Sequence, residues 1–83
     1  MNNTVAINEL VYVCDNARHL ICAQYSIENL HIMAIELGLK RGWFHKSHYD
    51  FPKKRIKEIT KLCTDVNSRK IVEIINGNLD LNS

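Results

Sequence analysis

Asp15, His48 and Asp50 are the residues whose types and positions in this 83-residue chain suit chemistry. His48-Tyr49-Asp50 sets an imidazole and a carboxylate two residues apart. In an extended segment alternate side chains point to the same side, so both would face one substrate or one cation. Such a pair can serve as a general base or as metal ligands. Asp15 follows the apolar run Leu10-Val11-Tyr12-Val13-Cys14. In α/β folds ligands gather at the carboxyl ends of strands, where an aspartate can hold a metal or activate water. Each residue also has a local reading. Asp15-Asn16 favours a turn in which the carboxylate binds its own backbone. Asp50 stands just before a helix start, a capping position, although Pro52 at the first helical residue would make Phe51 the cap and leave Asp50 one residue outside. Catalytic residues are left unassigned, with these three as the candidates.

Residues 40–61 carry Lys40, Arg41, Lys46, Lys53, Lys54, Arg55, Lys57 and Lys61 against Asp50 and Glu58. The net charge of the whole chain is only +2, so the middle is locally basic and the remainder mildly acidic. Lys54, Lys57 and Lys61 recur at i, i+3 and i+7, one face of a helix, and with Arg55 they form the binding row. Trp43, Phe44, Tyr49 and Phe51 interleave with these charges, the composition of surfaces that meet phosphates and stack on bases. In so short a chain most of these aromatics are needed for the core, which gives the lysine row more weight than stacking. No glycine-rich phosphate loop, G-x-S-x-G or H-E-x-x-H is present.

Zinc held by Cys22 with His45 and His48 lacks the paired four-ligand spacing of a structural site. Cys14, Cys22 and Cys63 are odd in number and without a C-x-x-C, so they read as free apolar thiols. No metal site and no cofactor are assigned.

Positioning these groups requires a short sheet and short helices. Residues 10–14 form the best strand, Val5-Ala6-Ile7 extends or pairs with it, and Trp43-Phe44-His45 and Thr64-Asp65-Val66 are further short strands. Ser26, Glu28 and Gly38 frame a helix over 27–37, with Ile27, Leu30, Ala34 and Leu37 as its buried stripe and His31, a hydrogen-bonded structural histidine, on the flank. Ile32 falls on the polar side beside Met33, and the pair reads as a contact for a second copy or a partner. A second helix over 52–63 turns Ile56, Ile59 and Cys63 inward, and a third runs from a Ser68 cap through Ile75. The fold class expected is a small α+β unit, a short β-sheet packed with two to three short helices. It forms a single domain over 1–83, with a core at about 10–76 and a frayed tail at 78–83.

The order Val11-Tyr12-Val13, Asp15-Asn16-Ala17-Arg18, Ser26-Ile27-Glu28-Asn29-Leu30-His31-Ile32-Met33-Ala34, Leu37-Gly38-Leu39-Lys40-Arg41, Trp43-Phe44 and His48-Tyr49-Asp50 resembles an uncharacterised family of short bacterial and phage proteins. The resemblance spans roughly residues 10 to 75 and implies a fold unit and a host range, with no activity. Members place a Cys-His pair and an Ala-Asp pair where this chain has Leu20-Ile21 and Gln24-Tyr25, which implies that part of any chemistry run there is lost.

The function expected from these features is a small macromolecule-binding protein, phage-encoded and able to inhibit a host defence system. A host protein is the first partner, nucleic acid is a partner for the basic residues 40–61, and a homodimer is allowed for. The alternative is a small metal-dependent hydrolase or nuclease using Asp15, His48 and Asp50. Apolar runs are too short to span a bilayer and no secretory signal is read, so the location expected is the cytoplasm of a bacterial cell.

Overall fold

The first strand forms because Tyr12, Val13 and Cys14 are β-formers, and it ends where Asp15-Asn16-Ala17-Arg18 reverses the chain. In the computed structural model, which describes residues 10–77, that turn joins Tyr12–Cys14 (β1) to an antiparallel His19–Cys22 (β2). Arg18 adopts φ 69°, the left-handed region that tight reversals demand. The chain continues through Ile27–Leu37 (α1), Phe44–His45 (β3), His48–Asp50 (β4), Ile56–Thr60 (α2), Cys63–Asp65 (β5) and Ser68–Ile75 (α3), with 3₁₀ turns at Arg41–Trp43 and Lys53–Arg55. The five strands make one mixed sheet in the order β3-β4-β2-β1-β5, parallel only between β1 and β5. The fold is a small α+β unit, as expected. No helix among the described residues is long and apolar enough to cross a membrane.

The pleat sorts side chains between two faces. Leu20 and Tyr49, partners across β2 and β4, lie on the α1 face, where His31 Nδ1 is 2.8 Å from the Tyr49 hydroxyl and the Tyr12 hydroxyl donates to Glu36. Val13, Ile21, His19 and Asp50 lie on the other face, where Ser68 at the start of α3 reaches Asp15. Helices thus cover both faces, and Leu20, Ile21 and Cys22 of the middle strand are all fully buried.

The helix at 27–37 is present with the Ser26 cap accepting from the Asn29 amide, and it stops at Gly38 with φ 70°. Its buried stripe is Leu30, Met33, Ala34 and Leu37; Ile27, expected inside, is 44% exposed. Spacings of three, one and three residues put Met33 on the packed face in its place. Met33 is therefore core, and Ile32 is half-buried against that core, so this pair does not form the expected exposed contact.

The continuous helix expected at 52–63 is broken. Pro52 is extended, a 3₁₀ turn precedes the single-turn α2, and pairing with β1 draws Cys63 into β5. Phe51 is buried and Ile59 fully so, whereas Ile56 is partly exposed. The third helix is capped by Asn67, whose side chain accepts from the Lys70 amide, leaving the Ser68 hydroxyl for another partner. Cys14, Cys22 and Cys63 are free thiols. The expected pairing of Val5-Ala6-Ile7 and the tail at 78–83 lie outside the described residues.

Candidate functional site

Strand register assembles a polar cluster on the α3 face of an otherwise apolar sheet. His19 stands directly opposite Asp50 across β2 and β4, and His48, two residues before Asp50, shares its face. The His19 and His48 rings meet edge to face with centroids 4.8 Å apart, and His48 Nε2 is 3.3 Å from Asp50 Oδ1. One ligand atom from each of His19, His48 and Asp50 can be chosen so that all lie within 4.8 Å of one another, a spacing that one cation can bridge. His45, paired with His48 across the β3–β4 hairpin, stacks on it at 5.7 Å.

Asp15 supports this cluster from beneath. It is only 2% exposed, and its two oxygens are fully engaged. Oδ1 accepts from the amides of Ala17 and His19, both at 3.0 Å. Oδ2 accepts from Ser68 Oγ at 2.6 Å and lies 2.8 Å from His19 Nδ1. Burial alone would raise the Asp15 carboxyl, but the hydrogen bonds from Ser68 and from the side chain and amide of His19 outweigh it and hold the group below the usual carboxylate range. An ionised Asp15 keeps the proton on His19 Nδ1 and leaves Nε2 as the free lone pair, the arrangement seen where a carboxylate orients a metal-binding histidine.

His48 is tuned in the same sense. Burial lowers its pKa first; the Asp50 carboxylate opposes this, and the neighbouring His19 and His45 add to the lowering. A neutral imidazole is what a cation requires. A cation held by two imidazoles and one carboxylate, the group that comes together among the described residues, would keep coordination positions open for water or another ligand.

The structure brings His48 and Asp50 together as the two-residue spacing implies, and it links Asp15 to them through His19. Asp15 is both the turn-former and a member of the cluster. His19 is the residue that sequence reasoning missed. Its signal was the four-residue step from Asp15 across a turn, followed by the apolar Leu20-Ile21-Cys22 of a buried strand. Cys22 falls on the opposite face, where burial pushes its thiol up to about 11 and Sγ donates to the Gln24 carbonyl, so it does not join His45 and His48.

The basic residues separate into two groups. Lys54, Lys57 and Lys61 are exposed, but they are distributed over the 3₁₀ turn, α2 and the turn after it, not along one helix face. Arg55 is held inside the fold. Its guanidinium donates to the carbonyls of Leu37 and Gly38 at 2.6 and 3.1 Å and to both oxygens of Glu58, at 3.0 and 2.6 Å. It closes the carboxyl end of α1 and has few donors left for a partner.

No curated protein and no solved structure matches this chain. The family model described as protein of unknown function, DUF4031, matches residues 9–78, a span that contains Asp15, His19, His48 and Asp50, and the chain belongs to that family.

Proposed function

We propose that this protein is a small divalent-metal-dependent hydrolase in which His19, His48 and Asp50 hold the cation and Asp15 fixes His19. One juxtaposition supports the reading: three ligand groups from two strands converge within 4.8 Å over a buried carboxylate. The bound ion would lower the pKa of a water in an open position and polarise the bond to be cleaved. His19 presents Nε2 because its Nδ1 faces Asp15, and burial shifts His48 towards its neutral form.

Titration of the full chain with zinc, cobalt or manganese tests this. A single saturable site is expected. At one hundred times Kd the native state gains about 2.7 kcal/mol, raising the melting temperature by roughly 15 °C for a domain this size. His48→Ala and Asp50→Ala should each abolish the rise. An unchanged melting curve with all three metals removes the hydrolase reading.

A second reading is docking onto an acidic macromolecule through Lys54, Lys57 and Lys61. It is supported by their exposure and by the lack of any ion pair at them among the described residues. Retention on DNA or RNA that weakens with salt and is lost when all three become alanine would support it. No retention at low salt drops the nucleic-acid branch.

A further inference from the structure

Next to His19 and His48, the sheet and α3 flank an open pocket of about 210 Å³, with Ser47 also at its edge. Its helix wall is aliphatic, formed by Ile71, Val72 and Ile75. Ser68 also borders it, but the hydroxyl is already donated to Asp15. Among the described residues no lysine or arginine lines the space. A phosphodiester brings negative charge that such sites meet with cations, whereas an alkyl or aryl group gains by leaving water for an aliphatic wall. The volume lies below the roughly 300–1,000 Å³ of drug-sized sites, so only a short chain or one small ring fits.

We infer that the substrate is an uncharged ester or amide whose small apolar acyl group lies against Ile71, Val72 and Ile75 while its carbonyl meets the His19–His48–Asp50 centre; this rests on the hydrolase reading of the same residues. The acyl C–O or C–N bond breaks and the oxygen of water joins the acyl carbon. One proton of that water leaves with the alcohol or amine and the other stays with the new carboxyl group, so no redox partner is needed.

Alkyl hydroxamates, which chelate a metal and carry a chain of chosen length, read the cleft without relying on turnover. With cobalt-loaded protein, the visible spectrum should report affinity that rises from acetohydroxamate to butyrohydroxamate by up to about fourfold per methylene. Val72→Glu, at a position 54% exposed and so tolerant of change in the fold, should flatten the series. 4-Nitrophenyl butyrate should be cleaved faster than the acetate, and bis(4-nitrophenyl) phosphate should not be cleaved. A flat wild-type series with cobalt bound, a series that Val72→Glu leaves sloped, or preferential phosphodiester cleavage overturns the acyl assignment and leaves the metal centre standing. Absence of cobalt binding overturns the hydrolase reading and this inference with it.

Discussion

His19 Nδ1 lies 2.8 Å from Asp15 Oδ2, and the same oxygen accepts the Ser68 hydroxyl at 2.6 Å, so one buried carboxylate ties the first turn to both β2 and α3. Removing it strands donors from three places in the chain. Asp15→Ala should destabilise the fold by about 3 kcal/mol in urea titration, because the amides of Ala17 and His19 and the Ser68 hydroxyl all lose their acceptor. Asp15→Asn retains an acceptor and should cost less, yet it cannot hold the His19 proton in place. Cobalt affinity in that variant should fall by about 10- to 100-fold. Ser68→Ala, losing one bond, should cost about 1 kcal/mol. Equal metal affinity in wild type and Asp15→Asn would show that Asp15 is only a turn residue.

Acid should unfold the metal-free protein in two stages. The folded pKa of His48 lies below the ordinary 6.5 because of burial, with further lowering from His19 and His45 against the pull of Asp50. Between that lowered value and about 6.5 the unfolded chain binds a proton that the folded chain refuses, so stability is full above 6.5 and declines as pH falls through this window. Asp15, held below its ordinary 3.8 by Ser68 and His19 despite burial, adds a second decline as pH drops through its own lower range. Urea midpoints measured from pH 8 to pH 2 should show both. His48→Ala should remove the first stage and keep the second.

The end of α1 offers a test independent of any ligand. Gly38 has φ 70°, and a Cβ there would meet Arg55 Nη1 only at an ordinary 3.9 Å, so the cost of Gly38→Ala comes from the backbone and should be about 1 kcal/mol. Arg55→Ala should cost about 1–2 kcal/mol by freeing the Leu37 and Gly38 carbonyls. If Arg55→Ala instead left stability unchanged while weakening retention on nucleic acid, Arg55 would belong to the binding row after all.

How far the sequence reached depended on whether a residue's neighbours are near in the chain. The α1 boundaries were legible because Ser26 and Gly38 act locally, and the His48–Asp50 pair because strand periodicity is local. β2 was not legible as a strand. It is the middle of five strands and buried on both faces, so Leu20, Ile21 and Cys22 show no alternation. With β2 unseen, His19 had no face and no cross-strand partner, and the three-ligand cluster stayed hidden. The helix over 52–63 failed for a related reason: pairing of Cys63 with β1 is a long-range demand that overrides helical periodicity.

Ile32 separates local pattern from tertiary packing most cleanly. Helical phase sets it among Glu28, Asn29 and Glu36, which predicts a surface residue whose change to glutamate costs within about 0.5 kcal/mol. In the fold it is half-buried and packs on the core beside fully buried Met33. Ile32→Glu should therefore cost about 1–3 kcal/mol, since a carboxylate placed there loses water and gains no partner. Urea unfolding gives the cost, and light scattering on the same samples gives the mass. A variant as stable as wild type but reduced from dimer to monomer would restore Ile32 as a contact residue; a destabilised variant of unchanged mass places it in the core.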